Sequence, residues 1–288
     1  MILKNTIAQL MILVSVFSYG QENLLDELES ETPVSYVSNT TSVFKGLKII
    51  NLESTKFVKA KDFYFVIAHR FSSVENGFED LFGIDNANIR FSFVYGLNNW
   101  WNVGLSRSSL RKIYDLNSKI KFTTQKEGST YLNSALYVSL GYESSDERFL
   151  KSIYPGLNNS HRMVYVGQLL LSRKIKNQLS VELAPTIVHR NFVFDNDETN
   201  TQFVTMFGAA YKLSSMWSLT TDFSYLFNRL DTVSNNMLAV GVDIETGGHV
   251  FQLHLSNSQS MYESNYINAE GNWSKGQVFL GFNISRVF

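Results

Sequence analysis

The sequence predicts an all-β fold, an antiparallel up-and-down transmembrane β-barrel of about 12 strands. Three observations carry that expectation. Apolar residues alternate with small polar ones along much of the chain. The connections between these stretches are short and long in turn. The last stretch, "GQVFLGFNISRVF", alternates up to Phe288.

The N-terminal residues "MILKNTIAQLMILVSVFSYGQ" place Lys4 before an apolar run from Ile7 to Phe17 and then the small residues Ser18 and Gly20. That order is the pattern of a secretory signal peptide over residues 1–20, with cleavage expected after Gly20. The chain has no cysteine, so an exported protein of this sequence has neither a disulfide framework nor a thiolate metal site. Residues 21–60 are expected to form a periplasmic lead-in or plug segment. Its start, "ENLLDELESETP", is acidic, with Leu24, Leu25 and Leu28 on one side of a short amphipathic helix. A later piece, "FKGLKIINL", is read as an inner segment, because a thirteenth spanning strand would start the barrel on the outside.

The barrel itself is expected over residues 61–288. Successive strand residues point to opposite faces, so a half-buried strand has period two. In "ANIRFSFVYGL", Ala87, Ile89, Phe91, Phe93, Tyr95 and Leu97 share one face, opposite Asn88, Arg90, Ser92 and Gly96. "YLNSALYVSLGY" and "WSLTTDFSYLF" repeat the pattern. Counting such stretches gives strands near 61–71, 87–97, 100–109, 113–124, 131–142, 162–173, 178–190, 202–213, 217–228, 236–246, 249–257 and 276–288. An even number puts both ends of the barrel on the periplasmic side, together with the tight turns. The longer polar stretches, such as Ser72–Asn86 and Asn257–Lys275, then face outward. The less apolar strand face is mostly Ser, Thr, Asn and Gly. A secreted soluble sandwich would instead show an outward face rich in Lys and Glu.

Several stretches resemble an outer-membrane β-barrel family of Bacteroidota, domain-of-unknown-function family 5777. They are "KIINLEST" (48–55), "VIAHRF" (66–71), "LFGIDNANIRFSFVYGL" (81–97), "VGLSRSS" (103–109), and "KIYD" followed by "KIKF" (112–122). The resemblance implies a barrel in the outer membrane of a Gram-negative bacterium. The family carries no assigned activity, so it implies no chemistry.

Parity assigns Arg70, Arg90, Lys119, Lys121, Glu182, Asp222, Asp243 and His254 to the lumen. Charges of both signs there could pair across a narrow interior and fill it, or line a constriction that selects a small polar solute. A channel for such a solute is therefore the first functional expectation, a plugged interaction barrel the second and a rim hydrolase the third. His69, expected near the outer rim, invites the third reading, but no serine and no orienting partner stands out for a nucleophile–base pair. The chain is accordingly expected not to be an enzyme. Asp195, Asp197 and Glu198 lie close together but lack EF-hand spacing, so no metal and no cofactor is expected. The net charge of −1 gives no basis for a nucleic-acid surface. The expected partners are outer-membrane lipid and the barrel assembly machinery, which would read the last strand ending at Phe288.

Overall fold

The computed structural model describes residues 43–126, 128–145, 151–152, 154–193, 198–228 and 234–288. The expected signal peptide, the acidic stretch with Leu24, Leu25 and Leu28, and Asp195 and Asp197 lie outside the described residues.

Twelve antiparallel strands close into one barrel in simple sequential order. They are β1 (Phe63–Ser73), β2 (Ala87–Asn98), β3 (Trp101–Ser108), β4 (Ile113–Thr123), β5 (Asn133–Glu143) and β6 (Met163–Lys174), then β7 (Leu179–Arg190), β8 (Thr201–Lys212), β9 (Trp217–Leu226), β10 (Leu238–Thr246), β11 (His249–Ser256) and β12 (Phe279–Val287). Each expected strand corresponds to one of these within a few residues. Closure is made by β1 and β12, whose register runs from Tyr64 opposite Val287 to Ser73 opposite Phe279. Phe288 extends the pairing: its N–H donates to the Phe63 carbonyl at 2.8 Å and its carbonyl accepts from the Phe63 N–H at 3.0 Å. Arg286, which breaks the apolar face of the last strand, lies over the Phe288 ring at 4.8 Å.

The outer face is a belt of exposed large apolar side chains, among them Leu105, Leu116, Leu183, Phe203, Phe207 and Leu253. Trp100, Trp101, Tyr211 and Trp217 gather at the end carrying the short turns, where amphipathic rings suit a membrane–water boundary. Cross-strand stacking adds to the belt, as in Phe65 on Phe93 at 4.9 Å.

Inward residues are buried as well. On β7, Ser180, Glu182, Ala184, Thr186 and Val188 are all nearly inaccessible. Side chains around a water-filled pore would be wet, so something fills this lumen. Among the described residues, two pieces of chain do so. The first is the stretch before β1, which folds into a tight hairpin over 47–54: the Ile49 N–H donates to the Leu52 carbonyl and the Ser54 N–H to the Leu47 carbonyl, both at 2.8 Å. The second is the long β11–β12 connection, which turns inward and buries Tyr262, Glu263, Ser264, Tyr266 and Ile267 around one helical turn, Glu263–Tyr266. Both pack on an apolar half of the wall that includes Leu170, Ala184, Val188 and Met206.

Gly141 on β5 is what lets Tyr262 reach the wall. A Cβ there would sit 2.4 Å from the Tyr262 hydroxyl and 2.7 Å from Cζ. Replacing a strand glycine usually helps a sheet, since glycine has no side chain to pack. Here Gly141→Val is expected to destabilise by about 1–3 kcal/mol through overpacking. Amide hydrogen exchange should show the loss concentrated at 262–267, and unchanged protection there would refute the contact.

Candidate functional site: the filled lumen

The candidate site is the set of inward charges and the groups that satisfy them. Asp222 projects from β9 to the tip of the hairpin. Its Oδ2 accepts from the backbone N–H groups of Ile50 (3.3 Å), Asn51 (2.6 Å) and Leu52 (2.8 Å). Three converging N–H groups form an anion-binding concavity, and the wall supplies the anion. Glu182, two strands away on β7, accepts from the Thr55 N–H at 3.0 Å. Beside it, the Thr55 hydroxyl bonds to Ser172. On β10, Asp243 accepts from Thr220 at 3.4 Å and from Gln252 at 3.1 Å. Gln252 also donates to the Ile49 carbonyl at 2.6 Å. The hairpin thus leans on an acidic wall made by β7, β9 and β10.

The basic residues lie on the other side. Arg70 of β1 donates to Asn51 at 3.0 Å, Asn283 at 2.9 Å and the His69 carbonyl at 2.9 Å. Arg90 of β2 pairs with Asp115 of β4 at 2.8 Å. Lys119 of β4 bonds to Glu53 at 3.2 Å. Lys121 is half-buried nearer the short-turn end, its ammonium 4.5 Å from the Phe57 ring centre. His254 of β11 is buried, and neither ring nitrogen has a partner among the described residues.

The two inner pieces meet at Lys48. Its ammonium lies 3.0 Å from Glu53 within the hairpin and 2.7 Å from Glu263 in the inward connection. Burial works against the charge on Lys48, but Glu263 and Glu53 outweigh it and hold its pKa above the ordinary lysine value. Burial likewise disfavours ionised Glu53, yet Lys48 and Lys119 hold its pKa below the usual carboxylate range.

All eight parity-assigned residues therefore have a place on the inner face, but no ion pair joins two of them among the described residues. Their partners are Asp115, Glu53, backbone N–H groups and amides. Parity on β4 already puts Asp115 on the face of Lys119 and Lys121. Lys48, Glu53, Tyr262 and Glu263 lie outside the strands, where no alternation marks them. The expectation of a polar lumen needs correction. Val164, Val166 and Leu170 of β6, Ala184 and Val188 of β7, and Val204 and Met206 of β8 make half of the inner wall apolar, because it packs on Ile49, Ile50 and Leu52 rather than on water.

His69 sits on the outer face of β1, its ring 4.6 Å from that of Phe282. Its Nδ1 has no partner among the described residues, so no group orients it as a catalytic base. Glu198 is drawn to Arg190. Among the described residues no cluster of three metal-binding side chains occurs.

A closed antiparallel ring with an apolar, aromatic-edged outer face defines a membrane-bound β-barrel. The chain belongs to domain-of-unknown-function family 5777, described as a membrane bound beta barrel domain, whose model matches residues 44–288. Among solved structures it is similar to an outer membrane channel from Pseudomonas putida F1, at 12% identity and a TM-score of 0.52, covering 81% of this chain and 98% of that one. It is also similar to the NanC porin, at 10% identity and a TM-score of 0.49 over 78% of this chain and 98% of that one. At such identities the likeness is one of fold. No curated protein matches the chain.

Proposed function

We propose that the protein is a channel in the outer membrane of a Gram-negative bacterium, serving a small polar solute and held shut in this conformation by residues 43–60. One observation carries the reading. The hairpin tip is fastened to the wall by hydrogen bonds to single carboxylates, Asp222 above all. Such bonds exchange readily for water once the tip moves. A latch of this kind releases without unfolding the barrel. Insertion of the barrel is assigned to the assembly machinery, acting on the last strand before Phe288 pairs with Phe63.

A second reading, a permanently filled interaction barrel, draws support from the apolar cluster shared by Ile49, Leu52, Tyr266 and Met206. Single-channel recording in planar bilayers separates the two. Wild type is expected to be quiet, and the Asp222→Asn/Glu182→Gln double variant to show discrete conductance steps. A double variant that is silent yet folded, with β-rich circular dichroism and heat-modifiable gel mobility, would reject the channel and leave the filled barrel.

A further inference from the structure

The lumen keeps a cavity of about 50 Å³, running between the hairpin and the wall formed by β12 and β1–β4. By the measure on which one water needs roughly 10–15 Å³, it has room for a few water-sized groups. Its lining contains Lys48, Arg70, Arg90 and Lys119 but a single carboxylate, Glu53. Most of these cations are matched nearby. Glu263 pairs with Lys48, Glu53 with Lys119, and Asp115 with Arg90. Arg70 is left over. It is 1% exposed, its three hydrogen bonds go to neutral acceptors, and its Nε has none. Asp222, the carboxylate that acts on it, lies beyond ion-pair distance and is engaged by the hairpin tip.

Arg90 stands next to Arg70. Ala68 faces Arg90 across the β1–β2 register. Arg70, two residues further along β1, is therefore a diagonal neighbour on the same inward face, the two strand positions roughly 7–8 Å apart, with its guanidinium turned to Asn283 and Asn51 and that of Arg90 to Asp115. Arg90 keeps Nε and Nη1 without an acceptor. Ala68 between them is too small to fill the space and itself lines the cavity. Both guanidinium groups are buried, line the same cavity and keep donors to spare, Nε of Arg70 and Nε and Nη1 of Arg90, for an anion held in it.

We propose that Arg70 and Arg90 form a binding position for a small carboxylate-sized anion on the basic wall of the lumen. This deepens the channel reading and rests on it for its role in transport: the solute is anionic, and it passes along the basic wall through the space between that wall and the hairpin. A guanidinium suits a carboxylate better than an ammonium does, because its planar donors match the oxygens.

The test is a crystal structure of the wild-type barrel grown in bromide, with anomalous scattering to locate the ion. A peak within hydrogen-bonding reach of Arg70 and Arg90 is expected, to be displaced by formate at equal ionic strength and to be lost in Arg70→Gln. No peak there in wild type, or one that formate leaves in place, would overturn the proposal. Reversal potentials of the Asp222→Asn/Glu182→Gln channel under a salt gradient test the transport role. Anion preference that falls severalfold on adding Arg70→Gln supports it, and cation preference overturns it. A bromide peak in a barrel that never conducts would uphold the site and reject the channel, so the two can fail separately.

Discussion

Lys48→Met is expected to undock the hairpin, with a loss of about 3–5 kcal/mol, the scale for removing one partner of a buried ion pair. The size follows from what the substitution leaves behind. Glu263 is completely buried, and Lys48 is its ion-pair partner at 2.7 Å. Glu53 loses one of two cations and keeps Lys119 at 3.2 Å. Taking the ammonium away strands a buried carboxylate, and the cheapest relief is for one of the inner pieces to move. The hairpin is the one expected to leave, since the backbone N–H groups of Ile50, Asn51 and Leu52 all rest on the single oxygen of Asp222. Hydrogen exchange should show faster opening at 49–55 while strand amides stay protected. Adding Glu263→Gln to Lys48→Met removes the stranded charge and should recover a large part of the loss. A double variant no better than the single one would mean that Lys48 acts through packing on Tyr266, whose ring centre is 6.0 Å away, and not through charge.

The parts of this arrangement that could be read from sequence are those with a period. A strand turns each side chain to the opposite face of its neighbours, so the inward positions of Arg70, Glu182, Asp222 and Asp243 follow from alternation alone. The number of strands follows from the same signal and the spacing of turns. The contents of the lumen carry no such signal. Lys48 and Glu53 face each other because a turn at 49–52 brings them together, and nothing in "KIINLE" requires that turn. The inward connection reads as polar and loop-like, since Tyr262, Tyr266 and Ile267 are scattered among Ser, Asn and Glu. One clue was present. β6 reads "MVYVGQLLLSRK", apolar on both faces, which is the pattern of a strand buried on both sides. In a membrane barrel one of those sides is lipid, so the other has to be packed protein.

Acid is expected to open the hairpin, and the direction follows from the two shifts at Lys48 and Glu53. Glu53 is held below its ordinary value of 4.5 in the folded chain. A depressed carboxylate contributes stability that is present above the unfolded pKa and is lost as pH falls through the folded one. Docking should therefore weaken below pH 4.5, once Glu53 takes up a proton and Lys48 and Lys119 face each other without it. Lys48 is held above its ordinary value of 10.5. Its contribution is intact below that value and is lost only as pH rises through the raised one, leaving a broad neutral window in which the lumen stays closed. The other charges around this centre are Arg90, Glu263 and Glu182. Glu270, in the inward connection, runs the opposite way: burial raises its pKa despite bonds from Gln259 and Ser258, so protonation favours that piece staying in place. Acidification should thus release residues 47–54 before 258–270. Conductance recorded against pH should rise on the acid side and stay low through neutrality, and Glu53→Gln should remove the acid limb by opening the hairpin at every pH. An acid limb unchanged in Glu53→Gln would move the switch to another group and break the link between this ion pair and closure.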